Sequence, residues 1–222
     1  MDSPPDRLVE HLRSWAGAWP PDWEGVRAVA NPRNALPAWD GLLHPVTGVV
    51  DPAGRGVLGL PPETYDLLGP EVPDVEGVLA RLPEVLTRPE LEAYQAIFRW
   101  STAPTDLEDV GAWVEARHPA VPEWLHPFGG QALVVLDDGV YVAGVGIKRH
   151  DEAGWEIAVG TEPAARGRGL ARRLVAQAAR HVLAHGAVPT YSHDPDNFAS
   201  AHVAEAAGFP DLGWTAFGTW QP

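Results

Sequence analysis

Between Val159 and Arg172 the chain reads Val159-Gly160-Thr161-Glu162-Pro163-Ala164-Ala165-Arg166-Gly167-Arg168-Gly169-Leu170-Ala171-Arg172. Glycine and arginine dominate this stretch, which joins a strand pattern to a helix pattern. Gly167 and Gly169 permit positive φ and close backbone approach. Successive amides can then converge on one anion, to which the N-terminus of the following helix adds its dipole. Arginines at a helix N-terminus oppose that dipole by about 0.3–1 kcal/mol each. Carrying Arg166, Arg168 and Arg172 there makes sense if an anion is bound between them. The alternative is a glycine-rich turn with solvated arginines. A phosphate loop of the nucleotide-hydrolase kind is excluded, because no lysine follows the glycines and Lys148 is the only lysine in the chain.

The loop needs a rigid mount. Leu170, Leu174, Ala178 and Val182 repeat at i+4 beside Val175, Ala179 and Leu183, which predicts a buried helix over Leu170–His185 closed by Gly186. Strands are expected at Gln131–Leu136, Gly139–Lys148, Trp155–Thr161 and Val188–His193, with a second helix over Phe198–Ala207 closed by Gly208. Ala96–Ser101 reads as a strand. Ala103-Pro104-Thr105-Asp106 reads as a helix start, followed by an apolar face of Leu107, Val110, Trp113 and Val114. The last strand is expected at Gly213–Trp220.

Upstream, most of the 23 prolines fall in residues 1–127, which disfavours long helices and central strands there. Asp6–Trp19 has helical apolar spacing. His44–Asp51 and Gly56–Leu60 read as a hairpin around Pro52-Ala53-Gly54-Arg55, so the string Gly54-Arg55-Gly56-Val57-Leu58-Gly59 is a hairpin and not a dinucleotide fingerprint. Pro61–Leu68 and Asp74–Leu82 read as short helices, the second stopped by Pro83. These features divide the chain into a proline-rich helical and hairpin region, residues 1–94, and an α/β domain, residues 95–222.

With 222 residues and 45% apolar composition the chain is globular. It has no cysteine, which excludes disulfides, thiolate metal sites and a cysteine nucleophile. A net charge of −14 argues against sequence-independent nucleic-acid binding. No apolar run is long enough to span a bilayer, and the acidic start MDSPPDRLVEHL is unlike a secretory signal. A cytoplasmic protein without membrane or nucleic-acid partners is expected. His181 and His185, at i and i+4, could be a metal pair, but they lack a third ligand and suit the helix C-terminal dipole, so no metal is expected. His150-Asp151 is expected to shape a turn. Most of the ten tryptophans read as core, while Trp100, Trp124 or Trp155 could line a cleft.

Arg166-x-x-Gly169-x-Ala171 after a strand resembles the acetyl-CoA loop of the GNAT superfamily of N-acetyltransferases, whose pattern is Gln/Arg-x-x-Gly-x-Gly/Ala. Asn197-x-x-Ser200 followed by Gly208-Phe209 resembles the family's Asn-x-x-Ala…Gly-Phe element. The resemblance covers about residues 95–222 and is closest to bacterial GNAT proteins with an N-terminal extension. It implies a mixed α/β GNAT fold and acetyl transfer from acetyl-CoA to an amine of a small molecule or protein. The pyrophosphate of CoA would lie on the amides of Arg166, Gly167, Arg168, Gly169, Leu170 and Ala171. Arg166, Arg168 or Arg172 would reach phosphates. Val159 and Thr161 would pair with the pantetheine arm, and Asn197 would bond the pantetheine region.

The same resemblance makes Glu156 the candidate base for the attacking amine, with a pKa expected to rise on burial. The family's tyrosine acid is absent, since its position is Ala204. Tyr191, His193 or Ser200 could protonate the leaving thiolate in its place, as could water. Only 13 residues follow Phe209, room for one strand instead of the family's two-strand ribbon. The other strand is missing, or would come from residues 1–94 or from another subunit, which makes a homodimer possible. The alternative function is a GNAT-fold CoA-binding or regulatory module that has lost turnover.

Overall fold

The computed structural model describes residues 4–220. The first three residues of the acidic N-terminal stretch and the last two of the expected second domain lie outside them. In chain order the elements are α1 (Asp6–Ala16), β1 (Val26–Ala30), β2 (Thr47–Val50), β3 (Gly56–Leu60), α2 (Pro62–Leu68), α3 (Val75–Val85), β4 (Glu92–Trp100), β5 (Ala112–Glu115), β6 (Gln131–Asp137), β7 (Val140–Arg149), β8 (Gly154–Thr161), α4 (Leu170–Ala184), β9 (Val188–His193), α5 (Phe198–Ala206) and β10 (Trp214–Trp220). The class is mixed α/β, as expected. No helix among the described residues is long and apolar enough to cross a membrane.

These elements form two compact units, Met1–Ala38 with Leu42–Phe98 and Leu212–Pro222, and Trp39–Gly41 with Arg99–Asp211. In the first unit the strands run β1-β3-β2-β10-β4. The β2–β3 hairpin turns as its sequence requires. Asp51 Oδ1 accepts from the amides of Ala53 and Arg55 at 2.9 Å each, and Gly54 takes φ +78°. Leu58, Leu60, Ala28 and Phe217 bury their side chains with Leu79 and Leu82 of α3. That burial carries α3 through Pro83, which lies inside the helix instead of stopping it. Proline there forfeits one backbone hydrogen bond near the helix end, a loss the buried leucines offset. β1, parallel to β3, is an element the sequence reading missed. β10 is flanked by β2 and β4, both antiparallel to it. The strand beside β10 therefore comes from residues 1–94 of the same chain, and that sheet edge offers no place for a second subunit.

In the second unit the strands run β9-β8-β7-β6-β5, with β8 parallel to β9 and the other pairs antiparallel. Helix α4 packs its apolar stripe on one face. Leu174, Val175, Ala178, Ala179 and Val182 bury against Ala143, Val145, Ile147 and Ile157. The helix expected after Asp106 does not form. Residues 102–111 have no regular secondary structure and lead into β5. Gln177 Oε1 accepts from the amides of Val110 and Gly111, and Arg180 donates to the carbonyls of Thr105 and Leu107. Side chains of α4 thus take up the backbone groups that a local helix would have paired.

Gly208 closes α5 at φ +90°, and a Cβ there would stand 2.7 Å from the Thr105 amide nitrogen. Gly208→Ala therefore incurs left-handed strain of about 1–2 kcal/mol and a backbone clash besides. A loss of more than ~2 kcal/mol is expected in urea unfolding, and an unchanged midpoint would refute it.

Candidate active site

β8 and β9 pair only from Gly154↔Val188 to Glu156↔Thr190. β8 continues to Thr161 in register with β7, and β9 continues to His193. From Ile157 onward the two parallel strands leave facing edges that make no ladder with each other. A cleft of about 850 Å³ opens beside them, continuing over the arginine loop to α5. An extended chain with alternating amide donors and acceptors suits such edges. On the cleft wall Thr161 Oγ1 is buried with no hydrogen-bond partner among the described residues, and so is Thr190 Oγ1, opposite Glu156 where the pairing ends. An orphaned buried hydroxyl costs about 1–3 kcal/mol unless a ligand satisfies it.

The loop forms as the glycines dictate. Gly167 and Gly169 take φ +77° and +74°, and Gly169 caps α4 without any side-chain hydrogen bond to the helix amides. The arginines divide. Arg173 and Arg180 are fastened to residues 105–109, and Arg168 pairs with Asp137 at 2.5 Å. Arg166 and Arg172 line the cleft, and their guanidinium groups have no partner among the described residues.

Val159, Thr161, Arg166, Gly167, Arg168, Gly169, Leu170, Ala171, Arg172, Tyr191, Asn197 and Ser200 all line the cleft. Glu156 and His193 do not. Asn197 Oδ1 accepts from the Ser200 amide at 3.0 Å and so caps α5. Tyr191 is 2% exposed, with its hydroxyl 2.8 Å from Ser200 Oγ. Burial pushes the Tyr191 phenol above its ordinary range, against the opposing effects of Ser200 and Arg99. The phenol is therefore protonated at neutral pH and available as a donor. His193 Nε2 accepts from Arg99 Nε at 3.1 Å, which leaves Nδ1 to donate to the Asp194 carbonyl. Both ring nitrogens are occupied.

Glu156 sits on the strand face opposite α4, beside Lys148 across the hairpin. Its Oε1 lies 2.5 Å from Lys148 Nζ and its Oε2 3.3 Å from His150 Nε2. Burial alone would raise its pKa, but the Lys148 ammonium and His150 outweigh burial and hold the carboxyl below the ordinary carboxylate range. The expected rise is reversed because the sequence reading supplied no cation. His150 reaches this carboxylate, while Asp151 alone shapes the turn, accepting from the amides of Ala153 and Gly154.

The same face of β7 and β8, away from α4, is covered by aromatic rings at glycines. A Cβ on Gly146 would stand 2.4 Å from Phe128, and one on Gly160 would stand 2.7 Å from Trp124. Trp155 instead lies against His185, and the His181 ring lies tilted between those of His185 and Trp113. Trp100 is buried. His202, on the cleft wall, was missed. Its only sequence signal is its place three residues after Ala199 on the same helix face.

A family model described as the acetyltransferase (GNAT) family matches residues 93–209, more than half of the chain. The chain belongs to this family. Solved structures that this GNAT chain resembles include three proteins. One is an acetyltransferase from the GNAT family of Colwellia psychrerythraea, at 15% identity and TM-score 0.45, over 58% of this chain and 56% of that one. This chain thus spans little more than half of the Colwellia protein. The second is a Novosphingobium aromaticivorans protein described as a GNAT-family acetyltransferase, at 25% identity and TM-score 0.49, over 59% and 67%. The third is a Salmonella typhimurium protein described as an acetyltransferase and solved with its cofactor acetyl-CoA, at 20% identity and TM-score 0.34, over 45% and 68%. No curated protein matches the chain at a significant level. The residues present fit a CoA thioester, given the open strand edges, the orphaned Thr161 hydroxyl and two unpaired arginines on the cleft wall.

Proposed function

We propose that this GNAT chain transfers an acetyl group from acetyl-CoA to a primary amine. The observation that carries the reading is the cleft beside the open edges of β8 and β9, walled by the unpaired Arg166 and Arg172. Arg166, Arg172 and the amides at the start of α4 hold the phosphates. The main chain of Val159 and Thr161 aligns the extended arm, and its thioester supplies the acetyl group. Tyr191, kept protonated by burial and oriented by Ser200, donates a proton to the departing sulfur. Glu156, ionised, attracts the acceptor's ammonium and fixes its position, a role that fits its lowered pKa better than proton abstraction does. Strands from residues 1–94 share a sheet with β10, and Asn197 holds the arm indirectly by capping α5.

A second reading, CoA binding without turnover, draws on one observation, the occupation of Glu156 by Lys148. Calorimetric titration with acetyl-CoA, followed by an assay of free thiol released with added amines, separates the two. Binding with release supports the enzyme, binding alone supports the module, and no binding up to millimolar removes both. Arg172→Ala is expected to weaken acetyl-CoA binding about 10- to 100-fold, the equivalent of a lost charge-assisted hydrogen bond. Arg168→Ala should cost less, because Arg168 is already committed to Asp137. Equal losses would contradict this division of the arginines.

A further inference from the structure

Lys148 is the only lysine in the sequence. Its side chain is 28% exposed, its ammonium lies against Glu156, and it stands 5.7 Å from the centroid of Trp39. Trp39 is itself stacked on Phe128 at 4.9 Å. Glu156 belongs to the last register pair before β8 and β9 stop pairing, and the residue opposite it is Thr190, whose buried hydroxyl is unpartnered. Charge links Glu156 to the cleft as well, since its carboxylate raises the pKa of Tyr191. A primary amine, a carboxylate, an imidazole and an aromatic face are therefore gathered where the open strand edges begin. They lie on the strand face away from α4. This is the set of groups that would bind an alkylammonium acceptor, and the chain's own ammonium already occupies it.

We infer that Lys148 is a self-acceptor, acetylated on Nζ within the same molecule. This rests on the proposed acetyl-CoA function. The ammonium, on a side chain 28% exposed, first releases a proton to solvent. Nζ then bonds to the acetyl carbon as the carbon–sulfur bond breaks, the sulfur takes a proton, and the nitrogen loses its second one. The net products are the neutral lysine amide, free CoA thiol and one proton, with no oxidant or reductant. Acetylation removes the positive charge beside Glu156 and leaves that carboxylate, 12% exposed, in need of another cation, which an external amine supplies.

The full chain is incubated with acetyl-CoA at several protein concentrations and followed by intact mass and peptide mapping. One acetyl group on the Lys148 peptide is expected, at a rate independent of protein concentration and at least tenfold above that of the urea-unfolded chain. Arg172→Ala should slow this modification, and Lys148→Arg, which keeps the cation, should abolish the mapped adduct. An unmodified Lys148 in a protein that binds acetyl-CoA and releases CoA with an added amine overturns the inference and leaves the proposed function standing. A rate that rises with protein concentration, or that equals the unfolded rate, also overturns it. No binding of acetyl-CoA at all overturns both.

Discussion

Replacing Lys148 by methionine is expected to lower the free energy of unfolding by about 3–5 kcal/mol, because it strands a buried carboxylate. Glu156 is 12% exposed, and without Lys148 its charge is left with His150 alone. For a chain of this size the thermal midpoint should fall by on the order of 10 °C. Removing both charges, as in Lys148→Met with Glu156→Leu, should recover most of the loss, since a buried pair adds little over well-packed apolar groups. The sign with pH follows from the lowered pKa of Glu156. The unfolded carboxyl titrates near ~4.3 and the folded one below that. The ion pair therefore stabilises the fold fully above the unfolded value and loses that contribution as pH falls through the folded one. Urea titrations from neutral to acid pH check this, and Glu156→Gln should flatten the acid limb. A Lys148→Met protein within ~1 kcal/mol of the parent, below the range for a broken buried pair, would show that water reaches this pair freely.

Tyr191→Phe is the second large effect. If Tyr191 protonates the departing sulfur, its loss should lower kcat by about 100-fold or more, with acetyl-CoA affinity nearly unchanged. The ring stays packed against Phe209 at 5.9 Å, so the substitution removes one hydroxyl and little else. Ser200→Ala should have a smaller effect, because it disturbs only the orientation of that hydroxyl. Turnover measured beside calorimetric affinity separates the roles. An unchanged kcat would assign the proton to water. The absence of the family's tyrosine at Ala204 has a physical counterpart. Ala204 is fully buried in the same apolar cluster as Tyr191 and Phe209, so a tyrosine there would enter a filled core.

The arginine loop and the helix behind it were legible because their causes are local. Glycine φ freedom, an i+4 apolar stripe and a closing glycine specify α4 from its own residues. Most of the cleft wall follows from that loop and from the strand before it. The irregular segment before β5 was not legible, since its backbone bonds end on Gln177 and Arg180, far along the chain. Those two side chains do share one face of α4 with Arg173, at i, i+4 and i+7, a polar stripe that could have signalled a docked segment. The charge state of Glu156 was misjudged because its sign depends on the exact pairing of Lys148 with Glu156 across a hairpin. Trp39 could not have been placed beside Lys148 by any local pattern.

The placement of β10 bears on the order in which the polypeptide can acquire structure as it is made. Strand β2, at residues 47–50, pairs locally with β3 but finds its second partner only at residues 214–220. Until residues 214–220 leave the ribosome, β2 and β4 have no β10 to pair with, and unpaired strand edges are sites of aggregation. Residues 99–211, by contrast, form an almost continuous stretch whose contacts are complete earlier. The half of the molecule that carries the cleft is synthesised second and can fold first. The unit that holds β2 completes its sheet only once β10 has been made, and long-range strand pairing of this kind is intrinsically slow.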